Sequence, residues 1–272
     1  MNAPSDHNPY QPPTADVTPP AERLQEEFIP GGRSVPAGNA LAWIGKGWAF
    51  FGRSPGIWIA NTIIMFLLFI VLSVIPIIGG FATNLLMPIV IGGILLGCGS
   101  LDEGGGLRVE HLFAGFKDKG GQLALIGLFM LVATIVIFIV IFVLALAMFG
   151  GSILQAAGNQ QALAELFVAR GLLMIALVVL FAMALTIPLW MAFWFAPALV
   201  VFHDLDAVDA MKQSFQGCLR NILPFLLYGV IFLLLGIVAV IPLGLGLLVI
   251  VPVAYGSLYA SYKDIFLRRA ED

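Results

Sequence analysis

From Ser54 to Leu101 the chain runs for 48 residues without an Asp, Glu, Lys or Arg. Three more such stretches follow, at 120–164, 171–202 and 221–262, of 45, 32 and 42 residues. A water-soluble monomer could not hold them, because too little polar surface would remain to cover the apolar mass. A bilayer can, since its hydrocarbon core, about 30 Å thick, takes about 20 apolar residues per helix. Hydrophobic residues make up 60% of the chain and charged residues 11%, against roughly 25% charged in soluble domains. The fold class expected is an all-α, polytopic membrane helix bundle.

The breakers inside each stretch divide it into spans. Pro76 with Gly79-Gly80 splits the first into 57–77 and 82–101. The second holds a span at 122–149 and then a polar-leaning loop, from Gly150 through Asn159 to Gln161. A fourth span covers 172–202, with Pro188 and Pro197 expected to kink it, and Pro242, Gly244 and Gly246 divide the last stretch into 222–241 and 245–262. Six transmembrane helices result, within a domain of 39–265. Helices are close to forced here, because irregular backbone facing lipid leaves polar groups unpaired at several kcal/mol each.

Residues 1–38 are a different material. They hold half of the 16 prolines, among Asn, Asp, Glu and Thr, and bury too little apolar surface to offset the entropy of ordering them. The expectation is a disordered cytoplasmic tail without the apolar core of a signal peptide, so that the first span acts as its own insertion signal. Residues 266–272 read as a charged cytoplasmic C-terminus.

Orientation follows from Lys and Arg. Arg23, Arg33, Lys46, Arg53, Arg108, Lys117, Lys119, Lys212, Arg220, Lys263, Arg268 and Arg269 fall on one side of these spans; Arg170 alone falls on the other. That split places both termini in the cytoplasm.

Segments of similar design precede the odd-numbered spans. In 39–53, Leu41, Ile44, Trp48 and Phe51 share a helical face behind Asn39 as N-cap; in 107–117, Val109, Leu112, Phe113 and Phe116 do so; in 205–219, Val208, Met211, Phe215 and Leu219 follow Asp204 or Asp206 as cap. Cations come next, Arg53, Lys117 with Lys119, and Arg220. One reading is an amphipathic helix in the headgroup layer, with Trp48, Phe113 and Phe215 dipped into the acyl boundary and the four cations on anionic lipid. The other is a loop helix packed on the bundle. Pro88, Pro188 and Pro252 recur before the acidic ends Asp102, Asp204 and Asp264, so the unit of interfacial helix plus hairpin occurs three times in one orientation, a parallel repeat.

The phrases Gly52-Arg-Ser-Pro-Gly-Ile-Trp58, His111-Leu-Phe-Ala-Gly-Phe116 and Ser214-Phe-Gln-Gly-Cys-Leu-Arg-Asn-Ile-Leu-Pro-Phe225 resemble a bacterial family of six-span inner-membrane proteins of unknown function. That family is akin to YciC-type proteins and, more distantly, to the membrane domain of some glycerophosphodiester phosphodiesterases. The resemblance covers about 39–265. It implies a fold and a location and carries over no catalytic residue.

Chemistry is sparse. An ionisable residue within a span is a functional-site hypothesis by default, and no span interior contains one. Asn61, Thr62, Ser73, Thr83, Asn84, Thr134, Thr186, Tyr228 and Tyr255 are explained by hydrogen bonds between helices, or more sharply by a polar substrate path. His203-Asp204-Leu205-Asp206 with Asp209 could chelate a metal, but helix capping explains it more plainly. His111 beside Glu110 is weak ground for acid–base work. Gly104-Gly105-Gly106 lacks the Lys-Ser/Thr of a phosphate loop. Gly93 and Gly97 permit close helix approach, within the bundle or in a dimer. Trp190 and Trp194, a turn apart, anchor the fourth span or line an acyl groove. Cys98 and Cys218 cannot form a disulfide framework and are expected as reduced thiols. No catalytic, metal or cofactor residue is assigned.

Three functions remain in competition: a non-enzymatic protein that organises lipid or partner membrane proteins, a permease or lipid carrier, and a headgroup enzyme built on His111, Glu110 and Asp204. The expected partners are membrane lipids, anionic ones above all, and not nucleic acid. Oligomeric state is left open.

Overall fold

The computed structural model describes residues 27–117, 119–156 and 172–268. A short strand β1 (Glu27–Phe28) leads to α1 (Asn39–Arg53), α2 (Pro55–Ser73) and α3 (Ile78–Asp102). A 3₁₀ helix (Val109–Phe116) precedes α4 (Gly120–Ala156), α5 (Leu172–Trp194) and the short α6 (Ala196–His203). The chain closes with α7 (Ala207–Arg220), α8 (Ile222–Val240), α9 (Leu247–Phe266) and β2 (Leu267–Arg268). The protein is an all-α helix bundle, with β1 and β2 paired antiparallel as its one sheet among the described residues.

Among the described residues, five helical stretches are long and apolar enough to cross a membrane: 55–73, 78–102, 120–148, 175–203 and 222–240. The expected sixth, α9, has 20 residues but alternates Tyr and Ser through 255–262. Gly256, Ser257, Tyr259, Ser261 and Tyr262 are nevertheless buried, because α1, α2, α3 and α8 surround it. Its polar groups are shielded by protein, and its serines bond within the helix, as in Ser257 Oγ to Val253 O at 2.7 Å. Length is therefore kept while hydropathy is lost.

The packing runs round the molecule in one sense. α1 lies against α9, the 3₁₀ helix against α3, and α7 against α5 and α6. Each contact sits just beyond a helix proline. A methyl group on Gly47 would collide with Val253 O and Ser257 Oγ, next to Pro252; one on Gly115 would collide with Ile89 O, next to Pro88. At the third crossing Ser214 Oγ donates to Met191 O at 2.7 Å and accepts from Phe195 N–H at 2.9 Å. This hydroxyl takes up the backbone N–H where the fourth span breaks between α5 and α6. Pro197 stands at the start of α6 and Pro188 lies inside α5.

Several sequence expectations are corrected. The segment 107–117 forms a 3₁₀ helix over Val109–Phe116. The polar-leaning start of the outer loop is helical to Ala156, since Gly-Gly-Ser-Ile-Leu-Gln-Ala simply continues α4; the rest of that loop lies outside the described residues. The N-cap of α1 is Gly38, without a side-chain bond, while Asn39 turns to Asp264 Oδ2 at 2.8 Å. Asp206 is the cap of α7, accepting from Asp209 N–H at 2.9 Å.

The largest correction concerns the tail. Residues 1–26 lie outside the described part, but 27–38 are ordered against the bundle. β1 pairs with β2, Ile29 and Arg33 N–H donate to Phe266 O and Ile265 O at 2.8 Å each, and Phe28 stacks on His203 with ring centres 4.0 Å apart. Backbone hydrogen bonds, invisible to a count of apolar residues, hold this strap.

Candidate functional site

The charged residues gather at one end of the bundle, where the helices carrying Asp102, Asp204 and Asp264 terminate. Asp264 Oδ2 accepts from Trp43 Nε1 at 2.7 Å and from Asn39, and its Oδ1 pairs with Arg33 at 3.3 Å. Asp102 pairs with Lys263 at 2.7 Å. Asp204, in the left-handed conformation at φ 57°, pairs with Lys119. Asn221 is fully buried; its Oδ1 accepts from Val35 N–H at 2.8 Å and its Nδ2 donates to Arg33 O and Gly217 O, both at 2.8 Å. Sequence reasoning gave Asn221 and Ser214 no role. The signal was a polar residue within an otherwise apolar helical face, which does not name its partner.

The residues proposed for lipid contact divide. Trp48 and Phe113 are 43% and 45% exposed. The buried face of α1 is Ala40, Trp43, Ile44, Gly47 and Phe50, so Leu41 and Trp48 look outward while Ile44 looks in. Arg53 donates to Leu101 O at 2.7 Å and lies 5.6 Å from the Phe50 ring centre. Arg220 donates to Gly32 O, and Lys119 holds Asp204. Three of the four cations thus bond the protein, and Lys117 is exposed. Gly93 and Gly97 face the 3₁₀ helix, where a Cβ would meet His111 O and Leu107 respectively.

Two clefts lie on the apolar surface. One, of about 280 Å³, opens between α3, α4 and α5 and brings Asn84, Thr134 and Thr186 together beside Met130, Trp190 and Phe193. Of the hydrogen bonds expected between helices, Tyr228 Oη to Ala254 O and Tyr255 Oη to Met65 Sδ, both at 3.5 Å, are made, whereas Asn84 Nδ2 bonds Gly80 O at 2.9 Å and Thr186 Oγ1 bonds Ala182 O at 2.8 Å within their own helices. The other, of about 400 Å³, lies between α4, α5 and α7, lined by Phe129, Ala192, Val208, Met211 and Phe215 with Lys212 beside it. Trp190 is 52% exposed, whereas the buried Trp194 Nε1 has no hydrogen-bond partner among the described residues and its ring meets Phe225 and Tyr228 edge-on.

Neither cleft is lined by His111, Glu110 or Asp204. His111 Nδ1 accepts from Arg108 N–H at 3.1 Å. Burial first and the Arg108 cation second lower its pKa, so it is a weak base held in a turn. His203 bonds Tyr262 Oη at 2.6 Å. No group of three His, Cys, Asp or Glu side chains suited to a metal occurs among the described residues.

A family described as "Domain of unknown function (DUF7847)" matches residues 119–263. The chain belongs to this family. A curated protein of Burkholderia thailandensis, named probable inner membrane protein, is 28% identical over 211 residues, covering 75% of each chain. No solved structure matches. With its apolar helices, the chain is a membrane protein of a family of unknown function.

Proposed function

We propose that this is a non-enzymatic, multi-pass protein of the bacterial inner membrane that organises anionic lipid around its charged rim. Both termini lie in the cytoplasm and α9 is a sixth, protein-enclosed span. The observation that carries the reading is the split of Lys and Arg, twelve against one, on a bundle whose rim places Trp48 and Phe113 outward. The name of the Burkholderia relative supports the location. A relation to YciC-type proteins rests on the three phrases quoted above.

Because Arg53, Lys119 and Arg220 bond protein acceptors, the lipid contact shifts toward Lys117, joined by Lys212, which pairs at 3.2 Å with the exposed Asp209 but stands beside the apolar groove with Phe215. Each juxtamembrane cation is worth about 1 kcal/mol on anionic lipid. Changing Lys117 and Lys212 to Gln should weaken retention of anionic lipid by about thirtyfold, read by native mass spectrometry, with the bundle intact. Equal lipid in both forms would refute the reading. A carrier is the second reading, favoured by the convergence of Asn84, Thr134 and Thr186 on one cleft from three helices; it requires lipid or solute movement in proteoliposomes.

A further inference from the structure

The turns opposite the charged rim are built alike and contain no polar or charged side chain. Between α2 and α3 the chain reads Val74-Ile75-Pro76-Ile77; between α8 and α9 it reads Ile241-Pro242-Leu243-Gly244-Leu245-Gly246. In each, the residue after proline is a large apolar one at positive φ, Ile77 at 63° and Leu243 at 55°. An aqueous turn would favour Gly or Asn there, since bulky side chains are strained in the left-handed region. These two instead project outward, 79% and 97% exposed.

Much of the backbone of both turns is bonded within the turn. Ile75, Ile78 and Gly79 N–H donate to Leu72, Pro76 and Ile75 carbonyls at 3.0, 2.7 and 3.0 Å. Gly244, Leu245 and Leu247 N–H donate to Val240, Pro242 and Gly244 carbonyls at 3.1, 3.1 and 2.9 Å. The prolines have no N–H, and the nearby Ser73 hydroxyl donates back to Ile70 O at 2.7 Å. Such internal bonding lowers the cost of placing a turn in hydrocarbon. The exposed apolar surface also runs without a break from the turns onto the helices, through Ile70, Val71 and Val74 and through Val238, Val240 and Ile241.

Length agrees. α2 and α8 have 19 residues each, about 28 Å, just short of a hydrocarbon core of about 30 Å. α4, at 37 residues, is about 55 Å long and passes well beyond it.

We propose that the α2–α3 and α8–α9 turns end inside the leaflet opposite the charged rim, docked on phospholipid acyl chains, while α4 passes beyond that leaflet into the far aqueous phase. The proposal goes beyond the rim reading and uses only its placement of the rim at one membrane face. The cost of backbone strain at positive φ in Ile77 and Leu243 is offset by hydrocarbon contact in place of a hydrated turn.

The test uses full-length Leu243→Cys, Ile77→Cys and Gln160→Cys in vesicles of phosphatidylethanolamine and phosphatidylglycerol. A membrane-impermeant maleimide, applied to both sides in turn, should label the first two at least about tenfold more slowly than Gln160→Cys, as expected for thiols within hydrocarbon. A bimane placed on the first two in detergent should be quenched after reconstitution by lipids brominated on the acyl chain. Rapid labelling of Leu243→Cys or Ile77→Cys would overturn the proposal. So would protection without lipid quenching, which would mean that protein covers the turns. Failure of Gln160→Cys to label from either side would count against the rim-based topology, leaving the quenching to judge the turns. Both turn side chains are so exposed that Cys there removes no packing.

Discussion

Trp43 Nε1 donates to Asp264 Oδ2 at 2.7 Å across 221 residues of sequence. Trp43 is 1% exposed, and the same carboxylate takes Asn39 and Arg33, so one acceptor ties the strap, α1 and α9 together. Asp264→Ala should therefore cost about 2–3 kcal/mol, since it leaves a buried indole N–H and an amide unpaired. Trp43→Phe should cost less at this contact than Asp264→Ala. Equal thermal midpoints for wild type and Asp264→Ala in detergent would contradict this.

Gly47 and Gly45 offer a matched pair on one helix. A Cβ on Gly47 would collide with backbone of α9, whereas one on Gly45 meets nothing within 4 Å. Gly47→Ala should destabilise by about 1–3 kcal/mol through overpacking. Gly45→Ala should be neutral or stabilising by up to about 1 kcal/mol through helix propensity. Parallel thermal melts decide it.

The strap makes truncation informative. Deleting 2–26 should leave the melting temperature nearly unchanged, in keeping with that segment's composition. Extending the deletion to 36 removes the hydrogen bonds from Ile29, Arg33 and Val35 and exposes Asn221. The midpoint should then fall by about 2–4 °C for each kcal/mol lost. Coincident melts of the two truncations would show that the strap contributes nothing.

Both cysteines should be inert in the folded protein. Burial pushes the Cys218 thiol up to about 12, so at pH 8 almost none is thiolate, the form that reacts; Cys98 is fully buried. Maleimide at pH 8 should modify neither until the bundle is denatured, when mass spectrometry should show both modified. Modification of the native protein at either site would indicate local opening.

What the sequence determined by itself is the set of helices and the face that carries charge. In a bilayer each span must satisfy its own backbone, so charge-free stretches and their Pro and Gly breakers report helices locally; the cap at Asp206 is equally local, three residues from its donor. Tertiary structure decided the rest. The strap at 27–38 is held by acceptors on α7 and α9, 180 and more residues away, and its composition pointed to disorder. Arg53, Lys119 and Arg220 look alike to a count of cations, yet they bond Leu101, Asp204 and Gly32. Tyr and Ser lower the hydropathy of α9, and only the packing of α1, α2, α3 and α8 around it shields them. Hydropathy and periodicity are properties of neighbouring residues, whereas a hydrogen-bond partner is chosen by which ends the folded chain brings within 3 Å.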